Sequence, residues 1–186
     1  MKLARVALLM TVACAAAGHR AKDQVVGASP GLSASAGAPK QEVLLRMVRT
    51  GCLGWCPEYT VEVDADGAVR YEGIGYVLTG GSATGRLTAA SMATLRQAID
   101  QAKFWSLPIK CCDCYDVTDS PSVKMTVTDA RSAKTIDDYH GCNATPKAMR
   151  DLEDSVDRIV DIEQWIGTDA QRKACFVQRG ACATGR

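Results

Sequence analysis

Positions 43–48 alternate Val43, Leu45 and Met47 with Leu44, Arg46 and Val48, a period of two that predicts a strand near the start of a domain. Tyr59, Val61 and Val63 alternate with Thr60 and Glu62 in a second strand. Asp64-Ala65-Asp66-Gly67 then supplies a hairpin turn, because Asp-Gly tolerates the positive φ such turns need. Val69 and Tyr71 alternate with Arg70 and Glu72 on the return strand, where Gly73 and Gly75 predict a bulge. A further strand is expected at 82–87.

The period then changes. Met92, Leu95, Ile99 and Ala102 fall on one face of a helix ending near Lys103, with Thr88 as its N-cap and Leu87 and Met92 placed as a hydrophobic staple. A loop over 104–122 leads to Val123, Met125 and Val127, alternating with Lys124, Thr126 and Thr128, and residues 133–139 return as a partner strand. Thr145-Pro146 reads as a cap followed by proline at the first helical position. Met149, Leu152, Val156, Ile159 and Ile162 form the apolar stripe of that second helix. Asp151, Glu153, Asp154 and Asp157 crowd it and read as a solvated acidic face. Two successive hairpin-then-helix segments predict an α+β fold, a mostly antiparallel sheet with two helices packed on one face, stapled by disulfides.

The ends of the chain look different. Residues 1–17 carry Lys2 and Arg5, an apolar run and then small residues, the layout of an export signal. The run is far shorter than the roughly 20 residues of a spanning helix. Thr11-Val12-Ala13-Cys14 resembles a lipobox, which makes Cys14 the expected lipidation site and an outer-membrane or periplasmic lipoprotein the expected product. Ala15-Ala16-Ala17 offers ordinary cleavage and a secreted soluble form as the alternative. Residues 18–41, rich in Gly, Ala, Ser and Pro, read as a flexible linker, 42–166 as a single domain, and 167–186 as a peripheral Cys-containing tail. Loss of Lys2 and Arg5 takes the net charge from +1 to −1, so no polyanionic partner is expected and nucleic acid is excluded as one.

Cysteine is the compositional outlier, with nine in 186 residues. Setting Cys14 aside leaves an even set, Cys52, Cys56, Cys111, Cys112, Cys114, Cys142, Cys175 and Cys182, which in an exported chain reads as disulfides. Cys52 and Cys56 span a short turn between strands and read as a local disulfide, with a partner in another loop or redox or metal chemistry as alternatives. Cys175 and Cys182 most simply bridge each other. Cys111, Cys112 and Cys114 with Cys142 admit several pairings, among them Cys111–Cys114 with Cys112–Cys142. A thiolate site for Cu(I) or Zn with His140 nearby, or a thiol–disulfide redox role, is the functional alternative for this cluster.

Cys52-Leu-Gly-Trp-Cys56-Pro57-Glu-Tyr59-Thr-Val61 resembles the bacterial domain of unknown function 6438, often found in predicted lipoproteins. Asp66-Gly67, Tyr71-Glu72-Gly73, Gly85–Leu87, Phe104-Trp105-Ser106-Leu107, Val117-Thr118-Asp119-Ser120-Pro121, Tyr139-His140-Gly141 and Trp165-Ile166 extend the resemblance over roughly 42–166. It implies a shared α+β domain and no activity. The middle and tail cysteines depart from the family pattern.

Other signatures fail. Gly80–Leu87 has P-loop glycine spacing without the Lys or the Ser/Thr, Asp64–Gly67 lacks the remaining calcium ligands, and no nucleophile elbow occurs. His140 is the domain's single histidine, which removes most His-based acid–base and zinc-hydrolase schemes. His19 lies in the linker and reads as solvated. The expectation is therefore a non-enzymatic module of the cell envelope, without cofactor, tethered to the membrane by lipid and meeting an envelope protein or a small ligand. Trp55, Tyr59, Trp105 and Tyr115, in or beside loops, are the contact candidates, with plain core packing as the alternative for each ring.

Overall fold

In a computed structural model the described residues are 42–110 and 118–177. Six strands, β1 (Val43–Arg49), β2 (Glu58–Asp64), β3 (Ala68–Gly75), β4 (Gly81–Arg86), β5 (Ser122–Thr128) and β6 (Ala133–Tyr139), form one antiparallel sheet in the order β4-β3-β2-β1-β5-β6. Helices α1 (Ala89–Gln101) and α2 (Lys147–Ile159) pack against its apolar face, and the short α3 (Glu163–Ile166) and α4 (Asp169–Val177) follow. No helix among the described residues is long and apolar enough to cross a membrane.

The period-two pattern decides which face the helices cover. Leu45, Met47, Val61, Val63, Val69, Val123, Met125 and Ile136 point inward and are fully or almost fully buried. The same register puts Met47 between Val61 and Met125 in the centre of the sheet. Across from them lie Met92, Leu95 and Ile99 of α1 and Met149, Leu152 and Val156 of α2. Outward-facing positions are polar and pair across strands: Arg46 reaches Glu62 at 3.0 Å, and Thr126 bonds Thr135 at 2.8 Å.

The expected turns and bulge are present. Gly67, at φ 89°, closes the β2–β3 hairpin. Ile74 is the extra residue between the pairs Tyr59–Gly73 and Glu58–Gly75. Gly73 is required there: a Cβ would lie 2.2 Å from the Thr79 carbonyl oxygen and 2.6 Å from the Tyr71 hydroxyl. Thr88 caps α1 by accepting the Ser91 N–H at 3.1 Å. The 104–122 loop opens with a single 3-10 turn, Phe104–Ser106, that buries Phe104.

Three local expectations are corrected. Helix α2 begins at Lys147, one residue after the proline, and Thr145 does not cap it. Its hydroxyl donates instead to Asp138 Oδ1 at 2.6 Å. The apolar stripe is also not one helix: α2 ends at Ile159, Asp161 turns left-handed at φ 52°, and Ile162 buries just before α3. Within the tail, for which no element was expected, α4 occupies 169–177 and Asp169 accepts the Trp55 indole N–H.

Candidate functional site

Arg49 closes β1 opposite Tyr59 of β2 on one side and Val123 of β5 on the other. Strand alternation turns Arg49 and Tyr59 toward α2, whose inner face carries Glu153 and Asp157 at i and i+4 among Met149, Leu152 and Val156. Tyr59 donates its hydroxyl to Asp157 Oδ1 at 2.6 Å, and Arg49 holds Asp157 Oδ2 at 2.7 Å. Arg49 also lies 3.7 Å from Glu153 Oε2. The expected solvated acidic face therefore divides. Asp151 and Asp154 are exposed, while Glu153 is 1% exposed and Asp157 turns inward onto Arg49.

The network continues to β6. His140 Nε2 lies 2.8 Å from Glu153 Oε2 and 3.8 Å from Asp138 Oδ2. Asp138 is buried and engaged by Arg150, whose Nε is 2.5 Å from its Oδ2, and by Thr145. Arg150 also donates to the carbonyl oxygens of Tyr139 and Cys142, which fixes the turn after β6. Asp138 lies in β6 and His140 is the turn residue directly after its last residue, Tyr139, and both meet side chains of α2. Ligand atoms of Asp138, His140 and Glu153 all lie within 4.8 Å of one another.

Burial governs the proton affinities. Desolvation raises the Glu153 carboxyl above its ordinary value, against the opposing effects of His140 and Arg49. Asp157 is raised for the same reason, with Arg49 and Tyr59 opposing. The Tyr59 hydroxyl is pushed well up, first by burial and then by the Asp157 charge beside it. Desolvation acts to lower Arg49, but the attraction of Asp157, Tyr59 and Glu153 outweighs it and holds the guanidinium firmly charged.

Above this network sits the β1–β2 connection, closed by a disulfide between Cys52 and Cys56. Leu53, at its tip, is 85% exposed. Trp55 is half-buried and donates its indole N–H to Asp169 Oδ1 of α4 at 3.3 Å, with Lys173 Nζ 5.3 Å from the ring centroid. Loop residues 52–57, with Asp169 and Arg172, enclose a hollow of about 440 Å³. Arg172 and Asp169 also line a second hollow, of about 360 Å³, whose wall includes Asp157.

The expected contact residues are thus separated. Trp55 lies on the hollow. Tyr59 is fully buried in β2 and is corrected from a loop contact to a network member. Trp105 stands in the 3-10 turn, 40% exposed, against Phe104. Tyr115 lies outside the described residues, as do Cys14, Cys111, Cys112, Cys114 and Cys182. Cys142 and Cys175 are disulfide-bonded, so the four described cysteines present no thiol. Sequence reasoning missed Arg49, Asp138, Glu153 and Asp157. The available signal was the i, i+4 spacing of Glu153 and Asp157 on the apolar side of α2, and an arginine ending an apolar strand.

A family model described as a domain of unknown function, DUF6438, matches residues 43–160. No curated protein matches the chain.

Proposed function

The chain belongs to the DUF6438 family, a domain of unknown function, and on that premise we propose that it is a non-enzymatic binding module of the cell envelope, exported and held at the membrane by lipid on Cys14. The observation that carries the binding reading is the hollow of about 440 Å³ between the Cys52–Cys56 loop and α4. A disulfide-closed loop is ordered before a ligand arrives, so binding costs less conformational entropy than at an open loop. Leu53 offers an apolar surface at the rim, and Trp55 offers a ring with one polar edge. Loops carried on a rigid sheet are where contact residues concentrate.

The anchoring part rests on the Ala13-Cys14 junction and the linker after it. A photoreactive side chain at position 53, in protein expressed in its own envelope, is expected to give one defined adduct that the same probe at exposed Thr94 does not. Intact-mass measurement of that protein is expected to show diacylglycerol on Cys14. Identical adducts at both positions would remove the binding reading. An unmodified Cys14 in the mature protein would remove the lipid anchor.

A further inference from the structure

We propose that Asp138, His140 and Glu153 bind a divalent transition-metal ion of the zinc class. This inference is independent of the binding module described above and concerns a different part of the molecule. One imidazole nitrogen and two carboxylate oxygens, all within 4.8 Å of one another, make a mixed N/O donor set with room for water as a further ligand. The donors come from two firm elements, the end of β6 and the inner face of α2.

The second observation is Glu153 Oε1. It belongs to a side chain 1% exposed, yet has no hydrogen-bond partner among the described residues. The other oxygen of that carboxylate, Oε2, is the one 2.8 Å from His140 Nε2; a buried carboxylate oxygen without a partner is costly, and an ion bound by the Glu153 carboxylate would offset that cost. His140, at 24% exposed, leaves the cluster open to solvent on one side.

Arg150 and Thr145 hold Asp138 from behind, and Arg49 flanks Glu153, an outer layer of the kind that orients metal-bound carboxylates. The rival reading is a closed network in which His140 bonds Glu153 directly and no ion is held.

Reductant-free, disulfide-intact full chain should be titrated with Zn²⁺ by calorimetry and with Co²⁺ by absorption. One equivalent is expected to bind, with a cobalt spectrum free of thiolate charge-transfer bands. His140→Gln is expected to abolish binding, and Arg150→Lys to weaken it by roughly 10–100-fold, the usual effect of losing an outer partner. In the unsubstituted protein, Co²⁺ is expected to shift the His140 ring resonances, a readout that needs no variant to fold. No saturable binding, thiolate bands, binding unchanged by His140→Gln in a folded variant, or His140 resonances untouched by cobalt would each overturn the site.

Discussion

Helix α1 meets the sheet through Met92, Leu95 and Ile99, whereas α2 meets it through Met149, Leu152 and Val156 with Glu153 buried beside them. Each follows a hairpin, and each is preceded by a threonine. Thr88 spends its hydroxyl on the helix it begins, accepting the Ser91 N–H. Thr145 spends its hydroxyl on Asp138, leaving α2 without a side-chain cap. The first hairpin–helix unit uses its polar groups locally, and its buried charge, Asp64, pairs with Arg70 across its own hairpin. The second carries charge onto the inner face of a helix, where Arg49 of β1 pairs with Asp157 and Glu153 and the Tyr59 hydroxyl donates to Asp157. Similar architecture thus carries two kinds of interior, and the polar one lies where β1, β6 and α2 meet.

This contrast can be broken at either end. Leu95→Ala, at a fully buried position of α1, should cost about 4 kcal/mol in urea unfolding, as a pure cavity. Asp157→Ala should cost about 3 kcal/mol, because Arg49 and the Tyr59 hydroxyl lose their shared partner inside the fold. A cost below about 1 kcal/mol for Asp157→Ala would show that the inward charges are no more coupled than surface pairs.

The two threonines provide a finer test. Thr145→Ala should cost about 2 kcal/mol, since it removes a hydrogen bond to a charged acceptor, and Thr88→Ala about 1 kcal/mol, since it removes a cap. Aspartate should separate them by sign. Thr88→Asp keeps a cap and should leave the melting temperature nearly unchanged. Thr145→Asp sets a carboxylate against Asp138 and should lower it clearly. Equal responses at the two sites would erase the distinction between the units.

The smallest effect belongs to the β5–β6 turn. Asp129 accepts the N–H groups of Arg131 and Ser132 at 2.8 Å each, which holds its carboxyl below the usual carboxylate range. A carboxyl with a lowered folded-state value stabilises the fold above its unfolded pKa, and this contribution is lost as pH falls through the folded one. An NMR titration should place Asp129 below the usual carboxylate range, with the turn amides moving in the same step.

Strands were legible because half-buried antiparallel strands write their two faces as alternation, and Met47, Val61 and Met125 obey it without exception. The bulge was legible because two glycines bracket one residue on a strand. Glu153 and Asp157 were not, because an acid on an amphipathic helix looks solvated until another chain segment brings it a partner. Their partners Arg49 and His140 are distant in sequence, and only the meeting of β1 and β6 with α2 joins them. Tyr59 misled for a related reason: its closeness to a cysteine loop suggested a surface, while strand parity turned it inward. Helix α4 carried too mixed a pattern of polar and apolar residues to declare itself.

The strand order carries a consequence for how the chain assembles. β1 pairs on one side with β2, which follows it closely, and on the other with β5, which begins at Ser122. During synthesis, β1 to β4 and α1 can associate as they emerge. One flank of β1 then stays unsatisfied until β5 has arrived, 27 residues on from the end of α1 at Gln101 to the end of β5 at Thr128. An exposed apolar strand edge is a template for pairing with other chains. The interval before Thr128 emerges is therefore the period of greatest aggregation hazard, and a holding chaperone would have its clearest target along β1.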